Sequence, residues 1–132
     1  MRGRPIAGAL LGSIVAAALL VGAPARAEGN LDSGKRLFAK CQACHSLEPG
    51  KIVIGPSLSG VIGRTAGTLE GFNYSGAMRA YGQGGVTWTE TTLDAFLVAP
   101  RQVVKGTRMT FVGFASAQDR ADVIAYLKQA AQ

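Results

Sequence analysis

Small and apolar residues recur along this chain at helical rather than strand spacing. Gly34, Leu37, Phe38 and Cys41 fall at i, i+3, i+4 and i+7, which predicts a first helix over residues 31–44 with one apolar face. Ser75-Gly76-Ala77-Met78-Arg79 reads as a single short helical turn. Residues 89–99 place Leu93, Phe96 and Leu97 on one side of a further helix, which Pro100 should stop because its ring nitrogen has no hydrogen to donate. A last helix begins at Ser116-Ala117-Gln118-Asp119, a capping-box pattern, and carries Val123, Tyr126, Leu127 and Ala130 on one stripe. No alternating stretch is long enough for a strand, so the fold class predicted is all-α. Residues 46–71 contain six glycines together with Pro49 and Pro56, the composition of an ordered loop without regular structure. A loop that long in so small a domain is expected to wrap something.

The first 27 residues follow a different pattern. Two arginines precede an apolar run over residues 6–23, broken only by Gly8, Gly12, Ser13 and Gly22, and Ala25-Arg26-Ala27 follows as a small-x-small site. These are the three parts of a secretory signal peptide, with cleavage predicted after Ala27. The run also approaches the short end of membrane-spanning length, about 17 residues, so a retained anchor is the alternative. Glycine and alanine dilute the run, and the cleavage site follows at once, which favours removal. The expected product is a single domain over residues 28–132, exported to the periplasm and without stable membrane insertion. Export also changes the meaning of the charge. The formal net charge is +6, but Arg2, Arg4 and Arg26 supply half of it, and the remainder is too weak for a nucleic-acid binder.

Cys41-Gln42-Ala43-Cys44-His45 contains both cysteines and the only histidine of the chain. Their order is that of covalent c-type haem attachment. Two thiols three positions apart on a helical turn can add to the two vinyl groups of one porphyrin. The next residue, His45, then offers its imidazole to the iron as proximal ligand. A thioredoxin-like pair uses the same cysteine spacing, but no βαβ pattern precedes Cys41. Zinc would lack a fourth donor. A plain disulfide suits an oxidising compartment but leaves His45 without a role. One covalent haem c, with its iron, is therefore the expected cofactor. It would also supply the core that four short helices lack, so the haem-free chain is expected to be largely unfolded.

A second histidine ligand is excluded, so the iron takes a methionine, a weaker donor or nothing. Within residues 28–132 the choice is Met78 or Met109, and either is also readable as a flexible core filler. Met109 follows the irregular stretch Lys105-Gly106-Thr107-Arg108, and a loop methionine there is the better placed to close over a haem.

More of the chain carries a wider likeness. Gly34 and Phe38 precede the cysteine motif, and Gly55-Pro56-Ser57-Leu58, Gly63-Arg64, Gly71-Phe72-Asn73-Tyr74, Val86-Thr87-Trp88, Gly106-Thr107-Arg108-Met109-Thr110-Phe111 and residues 119–128 follow it. Over residues 31–129 the chain resembles class I cytochrome c, and most of all the branch holding mitochondrial cytochrome c and bacterial cytochrome c2. The resemblance implies a small all-α fold of four to five short helices and long loops around one haem. It implies that Met109 is the axial methionine and that the Pro56 carbonyl accepts the proton of the far imidazole nitrogen. It further implies that Arg64, Tyr74 and Trp88 hydrogen-bond or neutralise a buried propionate, and that Gly34, Phe38 and Tyr126 form the contact between first and last helices.

The function implied is that of a soluble, monomeric one-electron carrier of a respiratory or photosynthetic chain, not an enzyme. Its partners would be other redox proteins, met transiently, with no nucleic acid among them. The alternatives are a five-coordinate haem enzyme or gas sensor, if Met109 is off the iron, and a membrane-anchored cytochrome, if the N-terminal segment is kept. Lys35, Lys40, Lys51, Arg101, Lys105 and Arg108 stand where the family shows a basic docking ring, thinned here by Gln102. Phe96 and Met78 replace the tyrosine and asparagine of the mitochondrial branch, which implies an apolar pocket and a fairly high reduction potential. Lys105 replaces a proline before Gly106, and residues 79–85 look longer than in that branch.

Overall fold

Four of the helices begin on a short polar side chain that accepts an otherwise unpaired amide hydrogen, as helix starts require. In this computed structural model, which describes residues 1, 3 and 27–132, Asn30 caps α1 (Leu31–Gln42) and Ser75 caps α2 (Gly76–Gln83). Thr89 caps α3 (Glu90–Val98), and Ser116 caps α5 (Ala117–Ala130). A four-residue α4 (Pro100–Val103) lies between the last two. Among the described residues the only extended pairing is an isolated antiparallel bridge between Thr65 and Thr87. The architecture is all-α. The predicted leader lies outside the described residues except at 1, 3 and 27.

Three local expectations change. Pro100 does end α3, but it also starts α4, because the first position of a helix needs no amide donor. The turn at residue 75 continues to Gln83, since Met78 and Gly82 lie four apart on one buried face. The reciprocal capping box is at Thr89 and Thr92, where the Thr92 hydroxyl accepts the Thr89 amide hydrogen at 2.8 Å. At Ser116 only half of it forms: its hydroxyl accepts from the Asp119 amide, and no return bond follows from the short aspartate.

The first and last helices cross at Gly34. A Cβ there would come within 2.1 Å of the Asp122 carbonyl oxygen, so only glycine allows the approach. One turn on, the buried Phe38 ring meets Tyr126 with ring centroids 5.4 Å apart. These are the three residues expected at this contact. The buried Asp122 carboxylate accepts from the Asn30 amide and the Gln118 side chain, each at 2.8 Å, and so fastens the entry to α1 onto α5.

The long loop is held by its own backbone. Gly55 N–H donates to Cys44 O at 2.8 Å and Leu58 N–H to Ser46 O at 2.9 Å. The fully buried Ser57 hydroxyl donates to Glu48 O at 2.6 Å. What the loop and helices jointly surround is a cavity.

Candidate functional site

A cavity of about 810 Å³ opens between α1, the long loop, α3 and the segment after α4. It is of the size that takes a cofactor. Cys41, Cys44, His45, Pro56, Arg64, Tyr74, Trp88 and Met109 all line it. Every residue expected to hold or contact the haem is therefore brought to one place.

The cysteine motif lies at the end of α1, where the helix does not simply stop. Cys44 N–H and His45 N–H both donate to the Cys41 carbonyl, at 3.0 and 2.9 Å, so a last turn carries the motif into the cavity. Both thiols are free and half-buried. Burial, helped by the neighbouring Cys44 and opposed by Lys40, pushes the Cys41 thiol up to about 11.

His45 stands against Gly55, where a Cβ would fall 2.5 Å from its Cε1. Its Nδ1 lies 2.7 Å from the Pro56 carbonyl oxygen. A carbonyl can only accept, so Nδ1 carries the proton and Nε2 keeps its lone pair free to bind a metal. Burial lowers the histidine's pKa; the Pro56 bond opposes that and Arg64 adds to it. A neutral ring with an oriented free nitrogen is what a metal ligand needs. Among the described residues no group of three or more histidine, cysteine or acidic side chains could hold a bare metal ion.

Arg64 and Trp88 are joined through the backbone around the Thr65–Thr87 bridge. Gly63 N–H donates to Trp88 O at 2.7 Å, and Trp88 N–H to Arg64 O at 2.9 Å. The Arg64 guanidinium donates to Ser57 O at 2.9 Å and Ser59 O at 3.2 Å, yet its Nε is buried with no partner. Burial lowers its pKa, with Tyr74 acting in the opposite sense. The Tyr74 hydroxyl accepts from Leu69 N–H at 3.3 Å, which leaves its own hydrogen to donate. Trp88 packs on Phe96 and Tyr81, with centroids 5.0 and 5.9 Å apart. A half-buried arginine whose buried Nε–H has no partner, beside a tyrosine donor, suits an anionic group at the cavity wall.

Met109 is half-buried on a loop tied down just before it. Thr107 N–H donates to Val104 O at 3.0 Å, and the Arg108 guanidinium donates to the Asn73 carbonyl. Arg108 thus anchors the loop where Lys105, exposed, lacks the restraint of a proline. Met78 and Phe96 also line the cavity and are buried, making that wall apolar as expected. Gly55, Leu93, Leu97, Val123 and Leu127 join them. Their apolar character was visible in sequence, but their common facing was not. Of the expected docking cations, Lys40 and Arg108 border the cavity, Lys51 is bound to Glu48 at 2.7 Å, and Lys35, Arg101 and Lys105 lie away from its lining.

Two thiols, an oriented imidazole, a thioether and an unpaired arginine donor around an apolar space fit a haem, and the fold and cavity together define an all-α haem protein of the c type. The sequence profile of cytochrome c matches residues 31–131, and the chain belongs to that family. It is 47% identical over 116 residues to the cytochrome c2 of Rhodomicrobium vannielii, covering 87% of this chain and 90% of that protein. It is 41% identical over 101 residues to cytochrome c 2.1 of Caenorhabditis elegans, 76% of this chain and 88% of that one. Among solved structures, cytochrome cH from Methylobacterium extorquens superposes with a TM-score of 0.69 at 39% identity, over 76% of this chain and 98% of its own. Haem c is accordingly the covalent cofactor, and the protein is an electron carrier of the cytochrome c2 kind, not an enzyme. Among the described residues no helix is long and apolar enough to cross a membrane.

Proposed function

We propose that the chain passes single electrons between redox proteins of a respiratory or photosynthetic chain, with Cys41 and Cys44 as thioether anchors and His45 and Met109 as the two axial ligands. The observation that carries this reading is the convergence of all four on one cavity. The haem supplies a ferric/ferrous couple that changes by one electron without making or breaking bonds. The protein's residues do the rest. Pro56 holds the His45 proton on Nδ1 and so keeps the ring in one orientation. The Met109 thioether, a soft donor, favours the reduced state. Arg64, through its unpartnered Nε, and Tyr74, through its hydroxyl, would donate to the anionic edge of the group, with Trp88 beside Arg64 along the cavity wall. Phe96 and Met78 exclude water, which disfavours the extra positive charge of the oxidised state. With residues 1–27 removed on export, the carrier works as a periplasmic monomer.

The test is Met109→Ala in the haem-loaded protein. Loss of the weak red-edge ferric band of sulfur ligation, with a fall in reduction potential, is expected. Retention of both would remove Met109 from the iron.

A further inference from the structure

The residues between the expected cleavage point and α1 are built into the fold. Cleavage after Ala27 leaves Glu28, Gly29 and Asn30 ahead of Leu31, and each of them is fastened to α5. The Gln118 side chain donates to the Glu28 carbonyl at 3.0 Å. A Cβ on Gly29 would come within 2.3 Å of the Ala121 carbonyl oxygen and 2.5 Å of the Ala125 Cβ, so the backbone lies directly on the helix. Asn30 N–H donates to Asp122 at 2.8 Å, while its carbonyl and side-chain oxygens accept from the Gly34 and Ser33 amides, each at 2.9 Å. Ala27, with Glu28 and Gly29, borders a groove completed by Ala121, Ala125 and Lys128 of α5.

Ala27 and Glu28 are exposed, yet exposure alone does not make the bond between them a substrate. A peptidase takes its chain extended and pairs with the backbone around the bond it cuts. Here the Glu28 carbonyl and the Asn30 N–H are already engaged by α5. To present the bond, residues 28–30 must leave that helix, a local opening whose population limits the cut. Helix α1 joins this clamp to the haem. Its first turn follows Asn30 and its last carries the cysteine motif, about 18 Å away. Packing of the far end around the haem therefore seats the near end on α5, by way of the Gly34 crossing.

We infer that the fold gates its own processing: a peptidase that selects small residues at Ala25 and Ala27 must cut the chain before haem attachment seats residues 28–30 on α5. The inference rests on the leader reading above. Hydrolysis of the Ala27–Glu28 amide consumes a water and leaves a carboxylate on Ala27 and an ammonium on Glu28. A chain cut first becomes the free carrier. A chain that acquires haem first closes the clamp beside its own cleavage point and keeps its apolar N-terminal run. One sequence thus yields two forms, and the order of two reactions, peptide hydrolysis and addition of the thiols to the haem vinyl groups, decides between them.

The test uses the full chain, residues 1–132, haem-loaded and haem-free, in detergent with a purified signal peptidase, and reads the cut by the masses of the products. The haem-free chain should be cut between Ala27 and Glu28 at least about tenfold faster than the haem-loaded one. With Gly29→Ala and Gln118→Ala combined, in protein whose reduced spectrum reports an intact haem site, that ratio should fall to about twofold or less. Gln118→Ala alone, which keeps Gly29 seated and serves if the double variant does not fold, should lower the ratio about threefold. Equal rates for haem-loaded and haem-free wild type overturn the inference. A ratio that neither variant lowers overturns it too, by placing the protection elsewhere. A haem-free chain that is not cut after Ala27 would instead overturn the leader reading, and the gate with it.

Discussion

Single residues decide how closely the parts of this protein approach one another. Gly34 permits the crossing of α1 and α5, since a Cβ there would overlap the Asp122 carbonyl oxygen, a backbone atom that cannot step aside. Gly34→Ala is therefore expected to cost about 3 kcal/mol, the upper range of overpacking. That corresponds to a thermal midpoint lower by roughly 12 °C or more in a domain of this size. A change within about 0.5 kcal/mol would mean that the crossing tolerates a side chain. Gly55 has the same role beneath the His45 ring. The cysteine motif was legible in the sequence because its chemistry is local, five residues on one turn. The orphaned Nε of Arg64 was not, because its burial depends on the Ser57 and Ser59 carbonyls taking the other nitrogens.

Among the elements, the segment after the methionine loop depends on one arginine. Arg120 on α5 donates to Asp94 on α3 at 2.8 Å and to the carbonyls of Phe114 and Ala115 at 2.8 and 3.1 Å. Its side chain is largely buried, so it differs from an ordinary surface pair. Arg120→Ala should lower stability by about 1–3 kcal/mol in urea unfolding, because it removes the partner of the Phe114 carbonyl and of the half-buried Asp94 carboxylate. The red-edge sulfur band should weaken with it. Arg120→Lys should rescue little, since one ammonium cannot reach all three acceptors. Full rescue by lysine would reduce the interaction to simple charge pairing. Helices α1, α3 and α5 were legible because each has an apolar stripe at helical spacing. In α2, Gly76 and Gly82 lower the local propensity, and its length comes from burial. In α4, a proline that reads as a stop is equally a start. The pairing of Arg64 with Trp88 needed a bridge between distant loops that no local pattern announces.

At the scale of the whole molecule, the fold is built around a space it does not fill. Without the haem, apolar side chains that line it, Leu93, Phe96, Leu97, Val123 and Leu127 among them, lose the packing partner on that side. The haem-free chain should consequently show little helix by circular dichroism and no cooperative thermal transition. A cooperative transition with native-like helix content would contradict this. Any residual native structure should drain away as pH rises. The Cys41 thiol has a higher pKa folded, about 11, than its ordinary 9.0, so its stabilising share is whole below 9.0 and lost on passing through about 11. Thioether formation removes that dependence.

As proposed above, both axial positions are taken by the protein's own side chains, His45 and Met109, which makes the molecule a carrier and leaves no site for a substrate. The direct measurement is the visible spectrum of the reduced, haem-loaded protein with and without carbon monoxide. Sharp c-type bands that do not change on adding the gas are predicted. A prompt spectral shift would mean an open or readily vacated sixth position and would contradict the claim.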